Sequence, residues 1–448
     1  MIDSNAALDR CQTLVDIARR AGADAADAVA RAESSESISV RLGELEEVER
    51  SEGESIGLRV FIGQRSASIS TSDFSPASFD TLAARALDMA RLAPEDPYAG
   101  LAPQDRLFFG EIPDLELADP EEPAPEKLRE RALAAEDAAR AVPGVTNSNG
   151  GGASFTRAVA ALVTSHGFAR GYEATGHSVS ASVVAGEGGS MQRDYEYRTA
   201  RHASDLREAE WIGAEAGRRT VARLNPGSMP SRKMPVVFEP RVGNGLLGHL
   251  LGAMSGAAAA RKSTFLLGRE EDRLFDSGIR VVENPLRPRG LRSRPFDGEG
   301  LACTARDLVS DGRMFGWMTN TAAARQLDMP MTGHAARGGG GAPGVGASNV
   351  HIANGPHSRQ ELIADIEEGL FVTDLFGQGV NMVSGDYSRG AVGFRIENGE
   401  ITRPVAEITI AGNLLDMFRA MIPANDLEMI FSLNVPTLRI DGMTVAGE

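Results

Sequence analysis

The segments SFTRAVAALVTS (154–165), ARGYEATGHSVSASVVAG (169–186) and SMQRDYEYRTA (190–200) decide the fold. Apolar and polar side chains alternate through them, the period of a strand with one face on a core and the other on something wetter. Gly186-Glu187-Gly188-Gly189 supplies a hairpin loop, so the stretch from 153 to 200 reads as a meander of three or four antiparallel strands. The same period runs from Ala25 to Thr71, through Ser37-Ile38-Ser39-Val40 and Gly57-Leu58-Arg59-Val60-Phe61-Ile62, with Gly43 and Gly63 as turn formers. Helical spacing flanks these strands. Leu8, Cys11, Leu14, Val15 and Ile17 line one side of 5–20; residues 76–93 follow Pro76; 126–141 stop before Pro143-Gly144; and a further helix spans 205–224. Helices set beside runs of antiparallel strands predict an α+β fold.

At 448 residues the chain exceeds what one core usually fills. Asn225-Pro226-Gly227 joins a helix stop to two turn formers, which predicts an N-terminal α+β domain over 1–225 and a β-rich C-terminal domain over 226–448. The second half opens with an apolar strand, 235–238, and a Gly/Ala-rich helix from 241 to 260. Short strands broken by glycine follow, predicting a curved, largely antiparallel sheet around that helix. GGGGAPGVG (338–346) cannot hold regular structure and reads as a mobile loop.

Composition narrows the function classes. Apolar residues at 42% and charged residues at 24% describe a folded globular chain. No apolar run approaches a bilayer span, and MIDSNAALDR carries acids where a signal peptide carries bases, so a cytoplasmic protein without a membrane partner is expected. A net charge of −16 opposes a phosphate backbone and argues against nucleic acid. Cys11 and Cys303 are too far apart and too few for a disulfide framework or a cysteine-rich zinc site.

Catalytic motifs are scarce. HExxH is missing, and of the seven histidines only His351 and His357 are close, in a loop with Pro356. Gly339, Gly341 and Gly344 match GxGxxG without the strand and helix that give the pattern meaning, Arg261-Lys262-Ser263-Thr264 lacks the Gly-Lys of a P-loop, and there is no GxSxG elbow. The densest signal is EPRVGNGLLGHLLGAMSG (239–256), whose five glycines from Gly243 to Gly256 require a close neighbour to offset their helical cost.

That run, followed by Arg261-Lys262-Ser263-Thr264-Phe265, resembles the TldD/PmbA family, whose older label is modulator of DNA gyrase. So do Ser55–Val60, Asp374-Leu375-Phe376-Gly377, Val383–Gly390, Gly393-Phe394, Glu397–Glu400, Pro404-Val405, Glu407–Leu414 and Asn425–Glu428. The resemblance covers nearly the whole chain and is densest after residue 236. In the family's TldD-type subunit a helix carries HExxxH, and a cysteine near the C-terminus adds a third zinc ligand. Laid on this chain, the first histidine falls on Glu239, the glutamate on Pro240 and the second histidine on Asn244, and no cysteine follows Cys303. The chain therefore resembles the PmbA/TldE type.

The resemblance implies the non-metal-binding subunit of a heterodimeric peptidase that processes or degrades unfolded peptides. It implies no catalytic residue and no cofactor in this chain, with zinc in a TldD-type partner. His249, Ser384, Asp386 and Tyr387 are candidates for lining a peptide chamber. The rival expectation is a non-catalytic homodimer that binds peptides or regulates a protein partner such as gyrase.

Overall fold

The computed structural model describes residues 2–377 and 379–447. Helix α1 (Ser4–Arg20) starts beneath Asp3, whose carboxylate accepts the Ala6 amide, and ends on Arg19 and Arg20, which complement the helix dipole. Strands β1 (Ala25–Arg41), β2 (Glu44–Ile62) and β3 (Arg65–Thr71) follow, then helices α2 (Pro76–Leu92) and α3 (Pro125–Arg140). Next come β4 (Val145–Thr164), β5 (Ala169–Ala185), β6 (Gln192–Ala200) and helix α4 (Ala209–Ala222). The six strands form one antiparallel sheet, in the order β3-β2-β1-β4-β5-β6.

One face of this sheet carries all four helices. Ala26, Ala28, Ala30 and Ala32 of β1 pack with α1 and α2, while Ile38, Val40, Phe155 and Val179 pack with α3 and α4. Small residues let the helices come close: a Cβ on Gly213 of α4 would stand 1.9 Å from the Ala135 carbonyl oxygen of α3. The opposite face meets the second half of the chain. Val29, Leu162 and Phe168 pack there against Leu107, Phe296 and Leu301.

The second half is built on β7 (Arg232–Phe238), which leads directly into α5 (Pro240–Ala253) and α6 (Gly256–Ala260). A small sheet contains β8 (Val281–Glu283), β9 (Arg306–Ser310) and β10 (Arg313–Met314). After α7 (Thr321–Leu327) and the pair β11 (Ala335–Ala336) and β12 (Gly344–Val345), β13 (Val350–Ile352) joins that small sheet. Helix α8 (Arg359–Ile363) precedes β14 (Glu368–Phe376), β15 (Asp386–Glu397), β16 (Glu400–Asn413), α9 (Leu414–Arg419), β17 (Met421–Pro423), β18 (Leu433–Asn434) and β19 (Leu438–Ala446). The main sheet runs β16-β15-β14-β7-β19-β17, and β16 also pairs with β19. Curvature thus goes as far as closure, with β7 and β14 the one parallel pair of this sheet among the described residues. The fold is α+β, as expected.

Three local expectations are corrected. The helix read as 241–260 breaks at Met254-Ser255, where the Gly256 amide donates to the Met318 carbonyl at 2.7 Å and a Cβ on Gly256 would lie 2.8 Å from that oxygen. Strand β4 begins at Val145, not 153, because register shifts near Asn147 and Gly150 interrupt the alternation. The glycine run of 338–346 is not a free loop over its whole length: Gly340 is buried on β2, where a Cβ on Gly57 would stand 2.0 Å from the Gly340 Cα. Two backbones touch there, which glycine alone permits.

Arg337 anchors that run. It donates to the carbonyls of Gly339, Gly340 and Gly341 at 3.2, 3.3 and 3.0 Å, and its guanidinium lies 2.6 Å from the Asp27 carboxylate. Arg59 reaches the same carboxylate at 3.0 and 2.5 Å. All three side chains are buried. Burial opposes ionisation of Asp27, yet the two guanidiniums hold its carboxyl below the ordinary value. A carboxyl depressed in the folded state adds stability above its unfolded pKa, and that stability is lost as pH falls through the lower folded value. Asp27→Ala, which strands two buried cations, is expected to lower the urea unfolding free energy by about 3–5 kcal/mol. It should also flatten the acid limb of the stability–pH curve.

Candidate functional site

Strand β6 is turned inside out. Asp194 and Glu196 are buried, whereas Tyr195 and Tyr197 are exposed. The acids face arginines of α4 and its C-terminal end and of α5, together with Arg198 of β6 itself. Asp194 receives Arg241 of α5 through both carboxylate oxygens, at 2.9 and 2.8 Å, and Arg223 after α4 at 2.9 Å. Arg223 also reaches Asp374 of β14 at 3.2 Å. Glu196 pairs with Arg198 and lies 3.4 Å from Arg219 of α4, which binds Glu215 at 2.7 Å.

Glu239, the residue that caps α5, sits in this network. Its two oxygens face Arg219 at 2.9 Å and Arg241 at 3.2 Å. Burial weighs against charge on Arg241, but Asp194 and Glu239 hold its pKa above the ordinary arginine value. Next to Glu239, Pro240 is the first residue of the helix and Asn244 stands one turn on. Tested as zinc ligands, the three do not fit: the carboxylate already faces two cations, proline has no donor, and an amide oxygen is a weak third. Among the described residues, no three His, Cys, Asp or Glu side chains converge as metal ligands do.

Glu239, Pro240 and Asn244 border a cleft of about 450 Å³ between the two halves of the chain. Tyr195, Tyr197, Trp211 and Phe431 give it aromatic walls, with Tyr197 and Phe431 ring centroids 5.2 Å apart. Arg359 and Gln360 at the start of α8 and Asn425, Asp426 and Glu428 complete its polar rim. Aromatic faces beside buried charge provide stacking, backbone hydrogen bonding and ion pairing.

The other sequence-derived candidates lie elsewhere. His249 points inward from α5, its ring 6.2 Å from Tyr387, and burial with nearby Arg389 lowers its pKa. Tyr387 is buried in the C-terminal core, which pushes its hydroxyl up to about 12. Ser384 and Asp386 form an exposed turn in which the Ser384 hydroxyl donates to Asp386 at 2.6 Å and Asn413 donates to Asp386 at 3.3 Å. Those bonds keep the Asp386 carboxyl below its usual range. None of these four borders the aromatic cleft. His351 sits in β13, and His357 pairs by its backbone with Ala424.

Two features were missed. One is the aromatic wall, whose signal was the tyrosine–acid alternation of 194–197. The other is a Thr332–His334–Glu283 chain with both contacts at 2.7 Å. His334 and Glu283 are each 2% exposed, so this chain bonds the core and does not face substrate.

An α+β protein with an arginine-laced, aromatic cleft between the two halves of its chain is thus defined, and comparison with known proteins assigns it. The chain belongs to the PmbA/TldA metallopeptidase family, matching its domain 1 over residues 26–90, its central domain over 118–224 and its C-terminal domain over 231–447. It is 41% identical to Metalloprotease PmbA of Escherichia coli O157:H7, covering 92% of this chain and 90% of that protein. Against the Metalloprotease PmbA homolog of Haemophilus influenzae it is 36% identical, over 97% and 94%. A candidate modulator of DNA gyrase from Bacteroides thetaiotaomicron superposes with a TM-score of 0.91 at 26% identity, over the full length of both chains. TldE of Thermococcus kodakarensis has the same fold, with a TM-score of 0.86 at 21% identity over 98% of this chain and 100% of that one.

The ion pairs of the network differ in burial, and so in weight. Arg223→Met, which leaves Asp194 with one of its two arginines, is expected to cost about 3–5 kcal/mol of unfolding free energy. Arg218→Met, whose side chain is 66% exposed beside Glu215, should cost less than about 1 kcal/mol. Urea titrations of the two variants side by side check the contrast.

Proposed function

We propose that this chain is the metal-free half of a two-subunit peptidase, pairing with a TldD-type subunit whose zinc hydrolyses unfolded peptides in a shared chamber. One observation carries this: at the position of the family's metal-binding helix, Arg219 and Arg241 hold Glu239, while Pro240 and Asn244 offer no ligand set. Two guanidiniums fill the electrostatic role of a cation there, and they can neither activate water nor accept a proton. Membership of a family described as metallopeptidases supports peptide as the substrate class.

The chain's contribution would be binding and positioning. Tyr195, Tyr197, Trp211 and Phe431 can stack on side chains of an extended peptide, and the rim amides and carboxylates can hold its backbone. No helix among the described residues is long and apolar enough to cross a membrane, in keeping with a cytoplasmic place of action.

The experiment is a reconstitution. Purified alone, the chain should carry no stoichiometric zinc by elemental analysis and should leave an unfolded peptide uncut. Mixed with a TldD-type subunit it should restore cleavage that a chelator abolishes. Zinc held by the isolated chain, or a mixture that never cleaves, would sink the proposal.

A further inference from the structure

A second cavity, of about 620 Å³, adjoins the aromatic cleft and shares Arg198, Glu428, Ile430 and Phe431 with it. Its walls come from the end of β6 and the turn beyond it, from the loop 287–291, and from 428–431. Five arginines line it: Arg198, Arg201, Arg207, Arg287 and Arg289. Against them stand two acids, Asp205 and Glu428, so the lining carries a net formal charge of +3 (five less two) in a chain whose total is −16. A concentration of like charge against the molecule's overall sign is costly unless an anion is met there.

The partners of these arginines show which are available. Arg289 is committed to Glu116 at 2.7 Å and to Asp205 at 3.0 Å, which also uses up one of the two acids. Arg198 is committed to Glu196. Among the described residues, the other three form no ion pair with a carboxylate. Arg201 donates to the carbonyls of Thr175 at 2.9 Å and Gly290 at 3.4 Å, and to that of Leu291, tying the two halves of the chain together. Arg287 donates to the Met429 carbonyl at 3.2 Å. Arg207 lies over the Trp211 ring, 5.4 Å from its centroid. Burial lowers the pKa of both Arg201 and Arg287 below the ordinary arginine value. Two partly dehydrated cations held by neutral carbonyls, with a third beside them, form a preorganised receptor for an anion.

We propose that this cationic cavity binds carboxylates of an extended peptide, so that acidic peptides are selected and their neighbouring residues laid across the aromatic cleft. The choice of a peptide as the carrier of those carboxylates rests on the peptidase reading above. Guanidinium groups match carboxylates in a planar, two-bonded geometry. The two cavities are adjacent, with Arg198 and Phe431 in the lining of each, which suits one strand reaching from one to the other. Glu428, the acid that remains in the lining, and the overall charge of −16 disfavour a polyphosphate chain. The carboxylate can come from Asp and Glu side chains or from the peptide's C-terminus, and both place the same chemistry on the same arginines.

The test is fluorescence anisotropy on the full chain alone at low salt, with a labelled unfolded peptide ending in a run of Asp and Glu. A peptide of the same length with Asn and Gln in that run and an amidated C-terminus, and the acidic peptide as its C-terminal amide, serve for comparison. The acidic peptide should bind at least about tenfold more tightly than the neutral one, and added salt should erase the difference. Arg207→Glu and Arg287→Glu should each weaken the acidic peptide by about tenfold or more and leave the neutral one unchanged. Circular dichroism confirms that the variants fold. Arg201 is left intact because its bonds join the domains. A loss on amidation matching that of the neutral peptide would assign the terminal carboxylate; no loss would assign the side chains.

Equal affinity for acidic and neutral peptides, unchanged affinity in both folded variants, or displacement by inorganic phosphate where acetate at equal concentration has no effect would overturn the proposal. The binding is read without a partner subunit, so it separates from the reconstitution. A mixture that cleaves neutral and acidic peptides alike leaves the peptidase reading standing and removes this one. Charge-selective binding without cleavage does the reverse.

Discussion

The buried carboxylate of Asp194, held between Arg223 and Arg241, is the contact on which the arrangement of the site depends. Its three participants come from β6, the end of α4 and the first turn of α5, so one ion cluster sets where the N-terminal sheet meets the helix that follows β7. A carboxylate with its side chain 2% exposed is tolerable only with full compensation, and two guanidiniums provide it. The demand is geometric as well as energetic: if α5 moved, Arg241 would leave Asp194, and Asp194 would be left in the protein interior with one partner. Glu239, one turn from the centre of this cluster, inherits its position from it.

That inheritance gives chemical meaning to the cleft. At the start of α5 the chain has a carboxylate facing Arg219 and Arg241 and a helix that opens on proline. The same arginines that stabilise the junction also neutralise that carboxylate. What the cleft retains is shape and surface: exposed tyrosines on an inverted strand, a tryptophan from α4 and a phenylalanine from the segment before β18. A second buried cluster, Asp27 with Arg59 and Arg337, fixes the other side of the domain contact and draws the glycine run onto β2. The Asp27 cluster lies on the face of the N-terminal sheet that the helices leave uncovered, whereas Asp194 shares the helix-covered face with Val183 and meets its arginines at the end of α4 and the start of α5.

Much of the fold was legible because its signals are local. Alternation in 25–71 and 154–200 placed the long strands, and apolar spacing placed α1 to α4 within a few residues. The pattern failed where a contact from far along the chain overrode it. Met254-Ser255 breaks the helix that the apolar spacing of the Gly/Ala-rich run suggests, because the Met318 segment bonds there. Gly338–Gly346 carries no regular pattern, so nothing local revealed that Gly340 seats on Gly57. Of the candidate site, Glu239, Pro240 and Asn244 were found by resemblance and do border the cleft. Ser384, Asp386 and Tyr387 came from the same resemblance and do not, since membership in a shared motif says nothing about which way a side chain faces.

By itself, the sequence determined the α+β class, the amphipathic faces and the lack of a zinc-binding triplet on α5, because each follows from residue types at short spacing. Only the tertiary structure decided that acids of β6 meet arginines of α4 and α5, and that the arginines of 198–207 and 287–289 line one cavity. Charge pairing between segments remote in sequence leaves no periodic trace. An arginine on a strand reads the same whether it faces water, a carboxylate or an empty anion pocket, and the fold alone chooses among them.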